Sequence, residues 1–283
     1  MSSSIRCSGP YMEAFSWKYN DYITIAKANY PPNGIDFPYG ATSRAPTRNL
    51  AKFWGASVKG QVLAMYQQVE AFGNMVLPEM RSLLLTSNED ATTNFDGYLA
   101  KSLFVSDIGN DDFLNHYFVH LANPLHKKVP PSFYNLLVDQ CTLYLKKLYK
   151  FGARKFLVFG LGVLGFIPNI IRSYSQDSKQ CFEEFNEISV KYNAKVKTMV
   201  LQLNQELSGV YILYWDIYTN MRQVLDNPSE YVICLPGNLV CPDRSQYVFW
   251  DDFHPTDVAN EILVKQAYRA NYVHKVLVLT GFS

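Results

Sequence analysis

Apolar positions in this chain follow two rhythms. Short continuous apolar runs alternate with longer stretches in which apolar residues recur every three to four positions, and that alternation separates strands from helices. From Val62 the residues Met65, Val69, Phe72 and Val76 keep helical spacing, Pro78 interrupts, and Met80, Leu83 and Leu84 resume. Leu103-Phe104-Val105 reads as a buried strand running through Ser106-Asp107-Ile108-Gly109-Asn110-Asp111-Asp112 into a glycine turn and a helix start. Phe133, Leu137, Cys141, Tyr144 and Leu148 then mark an amphipathic helix that stops at Gly152, directly before a second buried strand, Lys155-Phe156-Leu157-Val158-Phe159-Gly160. Ile188, Tyr192, Val196, Met199, Leu203 and Leu207 form the clearest helical stripe, ending near Gly209, and Val210-Tyr211-Ile212-Leu213-Tyr214 is a third strand. Strand and helix in repeated succession predict an α/β fold, with a parallel sheet covered by helices on both faces. Function then collects at the C-terminal ends of the strands.

The ends of the chain are patterned differently. Residues 1–20 have no clean period and are expected to be irregular, leaving 21–283 as one domain. A short helical piece is expected before Asn29-Tyr30-Pro31-Pro32-Asn33-Gly34-Ile35-Asp36-Phe37-Pro38, whose prolines and glycine read as a fixed, turn-rich loop. Near the C-terminus, Val258, Ile262, Leu263 and Ala267 give a last helix an apolar face, with Pro255 fixing φ and Thr256 capping it.

A chain of 283 residues, 48% apolar, is long enough for one large core, and no composition shift divides it. Its formal net charge of +1 leaves no electrostatic footprint for nucleic acid. The longest apolar run, Phe156 to Ile167, is too short and too glycine-rich to span a bilayer. Met1-Ser2-Ser3-Ser4-Ile5-Arg6-Cys7 has no apolar core of the signal-peptide kind, so the chain as written is expected to stay in the cytosol. Of the five cysteines, Cys234 and Cys241 are close enough along a loop to suggest a local bridge, while Cys141 is placed on a helix core.

Two stretches carry candidate chemistry. In Phe249-Trp250-Asp251-Asp252-Phe253-His254-Pro255-Thr256-Asp257, Asp251 stands three residues before His254, just outside a helix N-terminus. If Asp251 accepts a hydrogen bond from one ring nitrogen, the tautomer is fixed and the other nitrogen can take a proton from a nucleophile. The positive end of the helix dipole favours neutral imidazole. Spacing alone is a weak signal, because a histidine satisfied at the start of a helix is commoner than a catalytic one. The polar stretch Ser106 to Asp112 lies where α/β folds place active sites, but these residues are also ordinary turn formers. Gly160-Leu161-Gly162-Val163-Leu164-Gly165 spaces its glycines unlike a dinucleotide fingerprint, and a nucleotide is rejected.

Several segments resemble one family in order: Ala26-Lys27-Ala28-Asn29-Tyr30-Pro31-Pro32, Gly152-Ala153-Arg154-Lys155-Phe156, Ile167-Pro168-Asn169, Asp216-Ile217-Tyr218 and Tyr247 through Thr256. The chain resembles the plant GDSL esterase/lipases of the SGNH type over roughly residues 20 to 275. That resemblance implies a secreted carboxylic-ester hydrolase with a flavodoxin-like three-layer α/β/α fold and a Ser, His and Asp triad. It implies a small-molecule ester or lipid as substrate, no cofactor and no metal, and an extracellular location for the family; a monomer is expected. It assigns His254 as base and Asp251 as its orienter.

The same resemblance exposes departures. No Gly-Asp-Ser occurs in the chain, and neither Ser16 nor Ser57 follows a buried strand, so no nucleophile is assigned. The family's Gly-x-Asn-Asp, aligned on Gly109, puts Asp111 at the place of the oxyanion-binding asparagine, with Asn110 one place early. A carboxylate there repels a developing oxyanion. Gly109, Asn110 and Asp111 are therefore an oxyanion-hole vestige. The segment between Lys52 and Gln61, which in the family supplies a further oxyanion N–H, is short, and Phe166 replaces a cysteine that would pair with Cys181. The expectation is a family member with little or no esterase activity, the alternatives being a non-catalytic ester-binding protein or a truncated gene product. Without its first one or two strands, the sheet would leave Leu103-Phe104-Val105 as an uncovered apolar edge unless the N-terminal segment improvises a cover.

Overall fold

Every residue of the runs 103–106 and 155–159 is buried, as expected of strands covered on both faces, and these runs form the middle of the sheet. The computed structural model describes residues 23–26, 65–85, 91–114, 128–174, 182–225, 247–249 and 251–269. In chain order these hold β1 (Ile23–Ala26), α1 (Met65–Ala71), a π-helical turn (Phe72–Val76), α2 (Leu77–Leu85), α3 (Ala91–Lys101) and β2 (Leu103–Ser106). Then follow α4 (Pro131–Lys150), β3 (Lys155–Phe159), a 3-10 turn (Leu164–Phe166), α5 (Pro168–Tyr174), α6 (Glu183–Glu206), β4 (Tyr211–Trp215), α7 (Ile217–Leu225) and α8 (Asp257–Arg269).

The sheet order is β1-β2-β3-β4. β2, β3 and β4 run parallel, Phe104 beside Phe156 and Phe156 beside Ile212, which gives the α/β core that the alternating pattern predicts. One sheet face is set by Phe104 and Phe156, with ring centroids 5.6 Å apart, and Phe72 of the π turn packs edge-on against Phe104 at 5.8 Å. On the other face Phe159 meets Trp215 at 4.3 Å. Each such buried aromatic contributes about 1.5–3 kcal/mol by area alone. α4 packs on α6 and on α1, α6 on β4, and α7 on α8. Cys141 of α4 is buried, as its stripe position predicts; burial pushes its thiol up to about 12, so it stays a packing residue.

Four expectations are corrected. Residues 23–26 are a strand rather than the end of a helical piece; Ile23-Thr24-Ile25 is β-branched throughout, which suits a pleated strand. β1 also runs antiparallel to β2, pairing Ile23 with Ser106 and Ala26 with Leu103, so the sheet is mixed and the N-terminal segment covers the expected open edge. Pro78 does not break its helix. The π turn widens the ladder just before it, Leu77 donating five residues back to Phe72, and Pro78, which has no N–H to give, sits in the first turn of α2. In α8 the buried positions are Ala259, Asn260, Leu263, Val264 and Ala267, whereas Val258 and Ile262 are only half-buried, so the inward face is turned by about one residue from the expected one.

The irregular segment 1–20, the loop 29–38, Ser16, Ser57, Cys181 and the Cys234–Cys241 pair lie outside the described residues. Among the described residues, no helix is long and apolar enough to cross a membrane.

Candidate active site

The loop before α8 is fastened at its base. Thr256 Oγ1 accepts the Ala259 N–H at 3.2 Å, the predicted cap, and donates to the Tyr247 carbonyl at 2.6 Å. The Thr256 N–H donates to the Val248 carbonyl at 2.8 Å, and Phe249 bridges Pro255 antiparallel. Residues 247–249 and the start of α8 are thereby held side by side.

Between them the predicted pair is formed. Asp251 Oδ2 lies 2.6 Å from His254 Nδ1, and Asp251 Oδ1 accepts the backbone N–H groups of Phe253 at 2.7 Å and His254 at 2.6 Å. With both carboxylate oxygens engaged, Nδ1 is the protonated nitrogen and Nε2 the basic one. Burial pushes the Asp251 carboxyl up, but the His254 ring and the two backbone N–H groups outweigh it and hold the carboxyl below its ordinary value. The neighbouring Asp252 takes no part in this pair. Its carboxylate meets the Arg172 guanidinium through both oxygens, Nη1 donating to Oδ1 at 2.6 Å, and its carbonyl accepts the Asn169 N–H at 3.0 Å. Arg172 and Asn169 of α5 thus tether the histidine loop, and that tie was not visible in the sequence because it joins residues 80 apart.

The polar turn after β2 comes to the same end of the sheet. Gly109 has φ +118°, a conformation that only glycine adopts without strain, and its carbonyl accepts the Phe113 N–H at 3.2 Å as residues 110–114 turn helical. Asp107 and Asn110, each 8% exposed, line a cavity of about 40 Å³. Phe253 and Pro255, the two residues flanking His254, form part of its wall, with Gly162 from the loop after β3 and Ile217 from the start of α7. The cavity therefore sits beyond the C-terminal ends of β2, β3 and β4, where an α/β fold collects function. His254 itself is not among the lining residues, and neither is Asp111, which is half-buried beside Asp107. Of the three vestige residues, then, the structure brings Asn110 to the cavity, Gly109 shapes the turn, and Asp111 acts as a neighbouring charge.

Asp107 was read in the sequence only as a turn former. Burial, and then the like charge of Asp111, push its carboxyl up to about 7. The available signal was an acid directly after the short buried strand Leu103–Ser106. The glycine-rich loop that completes the wall is held from α6: Asn193 Oδ1 accepts the Leu161 N–H at 2.7 Å and Asn193 Nδ2 donates to the Leu161 carbonyl at 3.0 Å. Asn186 Oδ1 accepts the Gly165 N–H at 2.9 Å. Here too the signal was present, as two asparagines seven residues apart on the buried side of an apolar stripe.

A parallel α/β core carrying an imidazole paired with a carboxylate near a cavity at the strand ends is an arrangement of the kind α/β hydrolases use. The comparisons make that class specific. The family profile of the GDSL-like lipase/acylhydrolases matches residues 15–267, and the chain belongs to that family. It is similar to the Arabidopsis thaliana GDSL esterase/lipase At1g71250, 36% identical over 301 residues that cover 88% of this chain and 80% of the relative. It is also similar to the GDSL esterase/lipase At1g33811 of the same plant, 30% identical over 310 residues covering 88% of this chain and 82% of the relative.

Proposed function

We propose that the chain binds a small carboxylic ester or lipid acyl group at the strand ends, outside the cell and as a monomer, and hydrolyses it little or not at all. One contrast carries this reading: the base and its orienter are joined at 2.6 Å, while the sequence contains no Gly-Asp-Ser to supply the alcohol they would activate. His254 Nε2 can accept a proton, but general-base catalysis gains nothing unless a nucleophile delivers one. Loss of the serine alone costs a serine hydrolase about a millionfold in rate. Asp111, at the place the family gives to an oxyanion-binding asparagine, adds repulsion where stabilisation is needed.

The test offers the purified chain a short-chain aryl ester and a fluorophosphonate probe, in parallel with His254→Ala. The expected result is turnover indistinguishable between the two proteins and no labelled serine. Histidine-dependent turnover, or a labelled serine, overturns the reading and restores an active esterase.

A further inference from the structure

The end of the sheet opposite the histidine loop gathers cations. Lys155 opens β3 beside Leu103 and Tyr211, so the N-terminal ends of β2, β3 and β4 share one pole, and α3, α4 and α6 each end there. α3 finishes in Lys101, α4 carries Lys146, Lys147 and Lys150 at its end, and Arg154 and Lys155 stand at the start of β3. Two carboxylates answer them among the described residues: Glu206 holds Lys146 at 2.6 Å, and Glu70 lies 3.6 Å from Lys147. Arg154 is held by neutral groups instead, donating to the Tyr149 carbonyl at 2.9 Å with its guanidinium 4.2 Å over the Tyr149 ring. Lys101 and Lys150 are exposed and form no ion pair among the described residues, Asp96 of α3 being turned to Arg81. The positive charge is thus concentrated at one pole of a chain whose formal net charge is only +1. Helix dipoles favour lysines in a last turn, which accounts for Lys101, Lys147 and Lys150. They do not account for Lys155, a buried strand residue whose ammonium is held below its ordinary pKa by burial and then by the charge of Lys101.

Apolar side chains stand among these charges. Leu143, Lys146, Lys147 and Lys150 follow one another at three- and four-residue spacing and so share a face of α4, and Leu143 is 54% exposed on it. Met75, 69% exposed, leaves the π turn two residues after Gly73, against which the Phe151 ring at the end of α4 is pressed. Cations alone fit any polyanion, but an exposed leucine and methionine gain nothing from a hydrated acidic polymer. A bilayer surface uses both: phosphate headgroups meet the lysines, and apolar side chains enter the boundary between headgroups and acyl chains. We infer that this pole is a docking surface for a bilayer containing anionic phospholipid, with Lys101, Lys147, Lys150 and Arg154 toward the headgroups and Leu143 and Met75 as the side chains that enter. The cavity and the histidine loop lie beyond the opposite ends of the strands, so a chain docked in this way keeps its candidate site open to solvent. The inference does not rest on the ester-binding reading above.

Co-sedimentation of the full chain with lipid vesicles tests it. The vesicles are phosphatidylcholine alone or with about 30% phosphatidylglycerol, in about 20 mM and about 500 mM salt. The expected result is a partition about tenfold or more higher onto the anionic vesicles at low salt, with most of that gain lost at high salt. Lys101→Gln with Lys150→Gln lowers the low-salt partition by about tenfold. Leu143→Ser with Met75→Ser lowers it at both salt concentrations, because insertion of apolar side chains is not screened. Lys191→Gln with Lys195→Gln makes the same change in net charge on α6, more than ten residues before its end, and leaves the partition within about twofold of the natural chain. Equal binding to both kinds of vesicle, or an equal loss in the two lysine pairs, overturns the docking surface. Binding unchanged by the Leu143 and Met75 replacements overturns the bilayer in favour of a soluble acidic polymer, for which dextran sulfate is the probe. His254→Ala is expected to bind vesicles as the natural chain does, and a loss there would place the contact at the histidine loop and overturn the assignment to this pole.

Discussion

At the scale of single residues, the carboxyls after β2 and before α8 pull stability in opposite directions with pH. Asp107 titrates at about 7 in the fold against an ordinary 3.8, so the folded chain binds the extra proton between those values. Its contribution to stability is complete below the ordinary carboxylate range and is lost as pH rises toward about 7, by an amount on the order of a few kcal/mol. Asp251, held low, contributes in the reverse sense: its share is present above the ordinary carboxylate range and lost as pH falls through its folded value. Asp107→Asn is therefore expected to raise the thermal midpoint at about pH 8 while changing it little at about pH 4, measured by calorimetric unfolding. An equal shift at both pH values would show that the burial of Asp107 is not what sets its cost.

At the scale of elements, α6 does more than cover the sheet. Its apolar stripe, Tyr192, Val196, Met199 and Leu203, is buried as the helical spacing predicts, and between those positions asparagines reach backbone that has no other ladder. Asn193 pairs both edges of Leu161, and Asn204 does the same for Ile212, accepting its N–H at 2.9 Å and donating to its carbonyl at 2.7 Å. Asn193→Ala strands a buried N–H and a buried carbonyl, so it is expected to destabilise by about 1–3 kcal/mol in denaturant titration. Asn193→Asp should recover part of that loss by accepting the N–H again. The apolar periods made β2, β3, β4, α4 and α6 legible in advance because burial on a strand or helix face leaves a period in the sequence. The asparagine clamps, the Arg172–Asp252 tie and the location of Asp107 leave no period, since each depends on residues brought together only by the fold. The Asp251–His254 pair was legible for the opposite reason, its partners being three residues apart.

At the scale of the whole molecule, the arrangement turns on how the sheet is finished. Three parallel strands alone would leave β2 with a row of open backbone groups on an apolar strand, and β1 closes that row in antiparallel register. Successive residues of a strand point their N–H groups to opposite sides, so one of any neighbouring pair faces β2. Thr24→Pro with Ile25→Pro removes that donor whichever it is, and the double variant is expected to shift toward aggregate relative to the natural chain on size-exclusion chromatography. A variant that elutes unchanged would show that β1 is dispensable to the edge.

The tie between Arg172 and Asp252 also reaches beyond the site. Gly165 is pressed against the Phe182 carbonyl so closely that a methyl group there would force the backbone apart, and the 3-10 turn it belongs to leads straight into α5. α5 grips the histidine loop through Asn169 and Arg172. The ring's aim is thus inherited from a contact almost ninety residues earlier in the chain, and a small crowding at Gly165 would reach the imidazole as a lever reaches its far arm.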